Sequence, residues 1–415
     1  MSEKTVPKLN SYDKTLTCPP DKSISVRAVL LCSYAFGKSE VRNISLCDDV
    51  MSAVECARRL GAKITIEGNT AYIVGAPFRS CALDCGNSAT TARLLIGLLS
   101  GLNGVFEIDG DSSLRARPMS RVIDPLRLMG ARITDTDGHL PVRIVGSPLS
   151  GIEYFMPISS AQVKSALLLA GLNCSSAVTV TEKIKTRNHT EIMLNNMNGE
   201  IEVDGNTVKC GGSIIFGNDI TVPGDISAAA YPIALALALN GTCTVKNVGL
   251  NRTRIEYLDV LRKIGARVTV SNRAEDSEPY GDITVGGGRL RPIIIGENEV
   301  PLVIDEIPAL CALACHIDGV SVIEGAGELR HKESDRIKTA VAALKSLGAD
   351  IEETDSGMVI YGGKPLKNAS LDPCGDHRIA MAAAVAGAAG DGVSVKNAEC
   401  VSVSYPSFFE EVIGV

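Results

Sequence analysis

One short pattern recurs along the chain and constrains the fold more than any other feature. A predicted amphipathic helix ends in an apolar residue, after which come Gly-Ala, a charged residue and a β-branched residue. Glycine suits the left-handed backbone conformation that closes a helix, and a strand is expected directly after it. Four clear copies and a degraded fifth one are Leu60–Ile64, Met129–Ile133, Ile264–Val268, Leu347–Ile351 and Asn198–Ile201.

The spacing of these copies predicts a repeated folding unit. Their marker glycines, at positions 61, 130, 199, 265 and 348, lie 69, 69, 66 and 83 residues apart. Each unit also contains short β-like runs and a second, more apolar helix, which predicts two helices and about four strands. The apolar helices begin near Ser23, Ser88, Gln162, Ser227, Ile307 and His377. A unit of this length is too short for a secure core, so neighbouring units are expected to share one.

The two ends of the chain are expected to lie in one domain. A sixth helix ends at Gly414, where its unit still lacks the final strands, and residues 1–12 could supply one. Three units per domain then predict one domain of residues 14–222 and a second of residues 1–13 plus 223–415. Two hinge linkers, Thr17–Pro20 and Val222–Asp225, would cross the cleft between these domains.

The composition excludes several classes of protein. The chain has 415 residues, of which 45% are hydrophobic, and its core must be aliphatic because aromatic residues make up only 4% and Trp is absent. The net charge of −7 argues against general nucleic-acid binding. The 13 cysteines are scattered without a CxxC pair, which disfavours a metal site and favours a reduced, cytoplasmic location. No apolar run is long enough to span a membrane, and residues 1–10 lack the apolar core of a signal peptide.

Basic side chains accumulate where helices are predicted to begin. Backbone N–H groups and the positive end of the helix dipole favour anions there, so cations at these positions suggest an anion bound between them. The richest stretch, Glu328–Arg336, contains Lys332 and Arg336 around Glu333, and a helix is predicted to follow with Ser334 as its N-cap. Similar starts are Pro19–Arg27, Gly86–Arg93, Ser113–Pro118, Ser159–Lys164, Thr186–His189, Ile304–Pro308 and Gly375–Arg378.

Each of these starts taken alone has a simpler explanation. Ser, Thr, Asp and Asn are common N-caps, and a run of charges is usually a solvated surface. Several cationic starts together predict a cleft for two or more anionic groups, with Asp305 and Glu333 available as acid and base. The sequence has no GxxxxGK[ST] loop, no GxGxxG after a strand and no HExxH, which disfavours the chemistries that use those motifs.

The motifs together resemble the 5-enolpyruvylshikimate-3-phosphate synthase family of enolpyruvyl transferases, over nearly the whole chain. The most specific of them are Asp21–Arg27, Gly86–Thr90, Ser160–Gln162, Lys332–Arg336 and Asp376–Arg378. The resemblance implies an α/β (α+β) fold of two domains, each with three repeated βαβαββ units around buried helices. It implies transfer of the enolpyruvyl (carboxyvinyl) group of phosphoenolpyruvate to the 5-hydroxyl of shikimate 3-phosphate, on the pathway to chorismate and aromatic amino acids. It implies no metal and no organic cofactor, and a monomer.

The resemblance also implies roles for individual residues. Asp305 would act as base toward the hydroxyl, Glu333 would act as acid and base at C3 of phosphoenolpyruvate, and Lys22 would assist as a catalytic residue. The implied shikimate 3-phosphate ligands are Lys22, Ser23, Arg27, Ser159, Ser160, Ala161, Gln162, Arg187, Asp305 and Lys332. The implied phosphoenolpyruvate ligands are Lys22, Asn87, Ala89, Thr90, Arg117, Gln162, Arg336 and Arg378.

Three positions depart from the family pattern. Ala89 stands where many members have Gly, and its methyl group would narrow the phosphoenolpyruvate pocket and weaken inhibition by glyphosate. Val403 stands where a lysine is often found, so that one phosphoenolpyruvate contact is missing or supplied elsewhere. Ala161 replaces a common Ser beside the shikimate phosphate, and Arg187 could compensate for it.

Other functions remain open at the level of sequence. A UDP-N-acetylglucosamine enolpyruvyl transferase shares the fold, but it carries a Lys-Asn pair near its start and a reactive Cys on a mobile loop. Here the start reads Lys22-Ser23, and Ser112–Arg117 contains no Cys. An RNA 3′-terminal phosphate cyclase-like protein fits the acidic net charge poorly. A binding scaffold without catalysis would not need acids placed among cations.

Overall fold

Residues 3–415 are described by a computed structural model, and they form two compact units. Unit 1 comprises the described residues up to Pro19, together with Pro223–Glu275 and Pro279–Val415. Unit 2 comprises Pro20–Val222 and the short segment Asp276–Glu278. Residues 14–19, which the sequence had placed with the domain 14–222, therefore lie in unit 1. The reason is a strand at Asp13–Thr17, which pairs in parallel with the strand Thr242–Gly249 of unit 1.

Unit 2 contains three four-stranded sheets with one common topology. In each sheet an edge strand pairs in parallel with its neighbour, and an antiparallel hairpin completes the sheet. The first sheet, in the order β14-β3-β5-β4, consists of β3 (Lys38–Arg42), β4 (Lys63–Glu67), β5 (Thr70–Val74) and β14 (Ile220–Thr221). The second, β6-β7-β9-β8, consists of β6 (Cys81–Asp84), β7 (Val105–Asp109), β8 (Arg132–Thr136) and β9 (His139–Val145). The third, β10-β11-β13-β12, consists of β10 (Glu153–Phe155), β11 (Val178–Thr181), β12 (Ile201–Asp204) and β13 (Thr207–Cys210).

Unit 1 repeats this topology in its first two sheets, while its third sheet has three strands and no hairpin, and the first and third sheets include strands from the start of the chain. The first sheet, β16-β17-β15-β2, consists of β2 (Asp13–Thr17), β15 (Thr242–Gly249), β16 (Arg267–Glu275) and β17 (Pro279–Gly286). The second, β18-β19-β21-β20, consists of β18 (Ile294–Ile295), β19 (Gly319–Ile323), β20 (Asp350–Thr354) and β21 (Gly357–Gly362). The third, β1-β23-β22, consists of β1 (Glu3–Val6), β22 (Ser370–Leu371) and β23 (Val393–Lys396). The strand expected from residues 1–12 is β1, while residues 1 and 2 lie outside the described residues.

Six helices are buried on nearly all sides and form the two cores. They are rich in Ala, Leu, Ile and Val, as the shortage of aromatic residues required. In unit 2 these inner helices are α1 (Lys22–Tyr34), α3 (Ala89–Ser100) and α6 (Ala161–Gly171). In unit 1 they are α8 (Ile226–Ala238), α11 (Ile307–Ala314) and α13 (His377–Ala389). Every one begins within one residue of the position that the sequence predicted, so this prediction is confirmed.

The remaining helices lie against the sheets with one buried face. Most of those with eight or more residues are amphipathic because their apolar residues recur at helical spacing. These helices are α2 (Asp48–Leu60), α4 (Ser112–Arg115), α5 (Ser120–Leu128), α7 (His189–Asn196), α9 (Glu256–Lys263), α10 (Val300–Val303) and α12 (Arg336–Ser346). Short irregular helical turns occupy Gly327–His331, Ala398–Val403 and Phe409–Ile413. No described helix is long and apolar enough to cross a membrane.

The marker glycines behave as expected in four copies out of five. Gly61, Gly130, Gly265 and Gly348 have positive φ angles between 87° and 124°, and a strand begins two residues after each. In the degraded copy Asn198 adopts the left-handed conformation instead, with φ of 62°, and the strand β12 still follows. Asn tolerates this conformation better than other residues with a side chain, so the repeat survives the change.

The charged stretch differs from its predicted form in the N-cap of the helix that follows it. The helix α12 begins at Arg336, and its N-cap is Asp335, whose carboxylate accepts a hydrogen bond from the Lys338 N–H at 3.1 Å. The predicted cap, Ser334, is instead bonded through Oγ to Asp376 at 3.0 Å. Residues 327–331 form a short helical turn before α12. The cap differs from the prediction because the tertiary hydrogen bond of Ser334 to Asp376 competes with local capping.

Candidate active site

Many of the predicted site residues lie at or near the N-terminal ends of inner helices. Lys22, Ala89 and Ala161 are the first residues of α1, α3 and α6 in unit 2. In unit 1, Asp305 lies two residues before α11, and Arg378 is the second residue of α13. Because backbone N–H groups at a helix start lack partners within the helix, each of these positions can present donors to an anion.

In unit 1 the five predicted residues form one cluster around a carboxylate. Asp305 Oδ1 lies 3.8 Å from Lys332 Nζ, 3.7 Å from Arg336 Nη1 and 3.8 Å from Arg378 Nη2. Arg378 also donates a hydrogen bond to the backbone carbonyl of Asp305. Glu333 joins the cluster through Arg336, whose Nη2 lies 2.5 Å from Glu333 Oε2. Two carboxylates are therefore in contact with three cations.

Arg336 is held in place from the side opposite Glu333. Its Nε lies 2.8 Å from Oδ2 of Asp376, and Ser334 Oγ donates to the same oxygen. The Arg336 side chain is 1% exposed and that of Asp376 is 0% exposed. Asp376 is also the N-cap of α13, where it accepts from the Arg378 N–H at 3.0 Å. The buried Asp376 carboxylate thus bonds to two predicted residues, namely to the side chain of Arg336 and to the backbone N–H of Arg378.

Arg378 lies in a strongly acidic environment. Burial by itself acts to lower the pKa of its guanidinium. Tyr231, Glu306, Asp225 and Glu333 outweigh that effect and raise the pKa above its ordinary value. The residue is therefore a permanent cation despite its burial, which suits a role in binding an anionic group.

In unit 2 the start of α1 carries two fixed cations. Lys22 Nζ lies 2.7 Å from Asp49 Oδ2 at the start of α2. Arg27, which is buried, donates from Nε to Thr190 Oγ1 at 2.9 Å and from Nη2 to Ser165 Oγ at 3.2 Å. These bonds join α1 to both α6 and α7. Between the two cations Ser23 is half-buried on the first turn of the helix.

The start of α3 is joined to two further predicted residues. Arg117 donates from Nη2 to Asn87 Oδ1 at 2.5 Å. Gln162 donates from Nε2 to Thr90 Oγ1 at 3.0 Å, and its Oε1 accepts from Arg93. Ala89 is the first residue of the helix and is 7% exposed.

The start of α6 and the turn before α7 supply the last predicted residues. Ser160 is the N-cap of α6 but its side chain makes no capping bond, and Ala161 follows it. Ser159 Oγ accepts from the Ile184 N–H at 2.9 Å, which connects this helix start to the turn that carries Arg187. Arg187 is half-buried.

Comparison with known proteins agrees with this geometry. A sequence profile described as EPSP synthase (3-phosphoshikimate 1-carboxyvinyltransferase) matches residues 6–412. A 3-phosphoshikimate 1-carboxyvinyltransferase of Bacillus cytotoxicus is 45% identical over 409 residues, which cover 96% of each chain. The chain belongs to the EPSP synthase family.

Solved structures support the same assignment. An EPSP synthase structure from Acinetobacter baumannii superimposes with a TM-score of 0.85 at 36% identity, covering 99% of this chain and 97% of that one. The enolpyruvyl transferase NikO of Streptomyces tendae matches with a TM-score of 0.81 at 18% identity, over 99% of this chain and 96% of that one, and shows the fold alone. The predicted family and the two-domain α/β fold are confirmed, and the UDP-N-acetylglucosamine alternative is not favoured.

Three residues that hold predicted site residues were not themselves predicted to belong to the site. They are Asp376, which holds Arg336, Asp49, which holds Lys22, and Arg93, which holds Gln162. Asp376 and Asp49 resembled ordinary acidic residues at helix starts, and Arg93 stood inside an apolar helix. Asp376 and Arg93 stand close to predicted site residues at the starts of inner helices, which is a local signal, whereas Asp49 is 27 positions from Lys22 and carries no such signal.

Proposed function

We propose that this member of the EPSP synthase family transfers the carboxyvinyl group of phosphoenolpyruvate to the 5-hydroxyl of shikimate 3-phosphate and releases phosphate. This is the carboxyvinyl transfer step of the shikimate pathway to aromatic amino acids. The observation that carries the proposal is the cluster of Asp305 and Glu333 with Lys332, Arg336 and Arg378. A reaction between two anionic substrates needs cations to hold them and carboxylates to move protons, and this cluster provides both.

The cations divide between the two substrates as follows. Shikimate 3-phosphate would be held by the Ser159–Gln162 helix start and by four cations: Lys332, Lys22, Arg27 and Arg187. Phosphoenolpyruvate would be held by the Asn87–Thr90 turn and by three cations: Arg336, Arg378 and Arg117. Both substrates would contact Lys22 and Gln162. The support for this division is the fixed geometry of each side chain, since Arg117, Gln162, Arg336 and Arg378 all have hydrogen-bonded partners. Side chains that are already oriented lose less entropy when a ligand binds.

The proposed chemistry requires one proton to leave the hydroxyl and one to reach C3 of phosphoenolpyruvate. Asp305 accepts the hydroxyl proton while the oxygen attacks C2, and Glu333 gives a proton to C3. The product is a tetrahedral intermediate that contains both substrates. Glu333 then removes a proton from the new methyl group as the C–O bond to phosphate breaks, which restores the double bond and releases phosphate. The cations stabilise the departing phosphate and the electron-poor centre at C2.

The proposed reaction is tested by measuring phosphate release from the purified protein. We expect release when shikimate 3-phosphate and phosphoenolpyruvate are supplied together, and none when either is omitted. The carboxyvinyl product should appear in equal amount by mass spectrometry. Turnover with UDP-N-acetylglucosamine in place of shikimate 3-phosphate, and none with shikimate 3-phosphate, would overturn the proposal.

Ala89 leads to a prediction about inhibition. Glyphosate resembles phosphoenolpyruvate as a small phosphonate, and the Ala89 methyl group at the start of α3 would occupy part of its space. We expect Ala89→Gly to lower the inhibition constant for glyphosate by at least about fivefold, because a steric overlap of one methyl group costs roughly 1–3 kcal/mol. The KM for phosphoenolpyruvate should change much less. Wild-type inhibition as strong as that of Ala89→Gly would contradict the prediction.

The cellular location and the oligomeric state are also proposals. The thirteen cysteines all carry free thiols, which supports a reducing, cytoplasmic location. A monomer is proposed from the family resemblance.

A further inference from the structure

A buried charge cluster in unit 2 has no role in the proposed reaction. Lys164 lies in α6 and its side chain is 0% exposed. Its Nζ lies 2.7 Å from Glu182 Oε2 and 2.7 Å from Glu191 Oε1, and 3.4 Å from the backbone carbonyl of Thr186. Three partners satisfy the three N–H donors of the ammonium group. We call Lys164, Glu182, Thr186 and Glu191 the Lys164 cluster.

The Lys164 cluster encloses the turn that carries Arg187. Glu182 directly follows β11, and Glu191 lies in the first turn of α7, so the two carboxylates stand at either end of the turn. Inside the turn, the Thr186 N–H donates to both Glu182 oxygens at 3.3 Å, and Thr186 Oγ1 donates to Glu182 as well. Arg187 is the next residue. The backbone N–H of Thr186, just before Arg187, is thus bonded to the carboxylate of Glu182, which is in turn bonded to Lys164.

The same turn is attached to the start of α6 by a second bond. The Ile184 N–H donates to Ser159 Oγ at 2.9 Å, one residue before the N-cap Ser160. Lys164 lies two positions after Gln162 on the same helix. The turn is therefore fixed to the helix start whose residues Ser160, Ala161 and Gln162 are assigned to substrate.

Stability alone does not explain such a cluster. One ammonium group with two carboxylates leaves a net charge of −1 in the interior, and burying these groups removes them from water. Apolar residues of similar size often stabilise a core as well as a buried ion pair does. A buried ammonium group with all three donors bonded, as in Lys164, is better at holding one particular geometry, because its partners must meet at defined distances and angles.

We propose that Lys164, Glu182, Thr186 and Glu191 are positioning residues that hold the turn so that Arg187 can bind the phosphate group of the shikimate substrate. The inference rests on the proposed function. Without the cluster, the six residues between Glu182 and His189 have no regular structure to fix them. The turn would then keep its bond to Ser159, but Arg187 would be less well ordered before the substrate binds, at a cost in affinity for that substrate and not for phosphoenolpyruvate.

The test uses a substitution that weakens the cluster without removing a charge. Thr186→Val deletes the hydroxyl bond to Glu182 and keeps the size of the side chain. We expect the KM for shikimate 3-phosphate to rise about five- to tenfold, which is the loss of about one buried hydrogen bond in the substrate complex. The KM for phosphoenolpyruvate and kcat should stay within about twofold.

The matched control is Thr244→Val, which makes the same chemical change in β15 of unit 1. Thr244 Oγ1 is bonded to Thr284 Oγ1 at 2.9 Å, and neither residue belongs to the cluster. This variant should leave both KM values within about twofold of the wild type. Equal effects of the two substitutions on the shikimate 3-phosphate KM would overturn the proposal, because a general loss of stability would then suffice.

A double-mutant cycle tests whether the effect passes through Arg187. Arg187→Ala alone should raise the shikimate 3-phosphate KM, and adding Thr186→Val to it should have no further effect beyond about twofold. A full additional effect would overturn the proposal. An unchanged KM in Arg187→Ala would also overturn it, while the proposed reaction would still stand. Failure of the proposed reaction would show separately, as a wild-type protein that releases no phosphate.

Discussion

Replacing Glu333 by Gln should lower kcat by about 10²–10⁴, the usual contribution of general acid–base catalysis. Glutamine has nearly the same size and can still meet Arg336, which lies 2.5 Å from Glu333 Oε2. It cannot carry the proton to and from C3. The KM for shikimate 3-phosphate should stay within about threefold, since Lys332 and the unit 2 residues remain. Steady-state phosphate release measures both quantities.

The control for Glu333→Gln is Glu353→Gln. Glu353 pairs with Arg330 at 2.8 Å on the surface, and its side chain is 38% exposed. The same loss of charge there should leave kcat within about twofold, because exposed ion pairs contribute little. An unchanged kcat in Glu333→Gln would remove this residue from the mechanism.

Replacing Arg336 by Met should raise the KM for phosphoenolpyruvate about thirtyfold or more. The guanidinium is buried and lies between Asp376 and Glu333, so it is oriented before any ligand arrives. Truncating one partner of a buried, hydrogen-bonded charge pair costs about 2–5 kcal/mol in binding, which corresponds to a factor of about 30 or more. Kinetics with phosphoenolpyruvate as the varied substrate give the KM directly.

Arg336→Met also leaves Asp376 buried without its cation, which destabilises the fold by about 3–5 kcal/mol. Arg336→Lys is therefore the second variant, because it keeps the charge and loses the planar fork that can bind two oxygens. Its melting temperature should lie closer to that of the wild type, while the KM for phosphoenolpyruvate should still rise. Arg330→Met, a similar change at a surface residue of the same stretch, should leave the KM unaltered. A normal KM in Arg336→Lys would contradict the assigned role.

The repeat was predictable from the sequence because its signal is local. A Gly with positive φ at the end of a helix and a strand two residues later require only neighbouring residues, and this held for Gly61, Gly130, Gly265 and Gly348. The borrowed strands were harder. β14 completes the first sheet of unit 2 from nearly 180 residues away, and its two residues show no alternating pattern. The segment Asp276–Glu278 was not predicted to belong to unit 2, where Glu278 lies 2.7 Å from His189.

The site was partly predictable in the same sense. Lys332, Glu333 and Arg336 lie within five positions of one another, so their clustering followed from the chain itself. Their contacts with Asp305 and Arg378 could be expected only from the family resemblance. The pairing of Asp376 with Arg336 could not be predicted from the sequence. An Asp at a helix start is sufficiently explained as an N-cap, and only the structure shows that Arg336 lies against it.

The sequence by itself determined the repeated unit, the starts of the six inner helices and the types of charged residue that those starts carry. Each of these depends on backbone preferences and on the period of the apolar residues, which act over a few positions. Only the tertiary structure decided which charged side chains are paired with one another. Asp305 among three cations, Arg336 against Asp376, and Lys164 between Glu182 and Glu191 are contacts between residues 18 to 73 positions apart. Such pairs form because burial in a core removes water from charged groups, which then need partners wherever the fold can supply them.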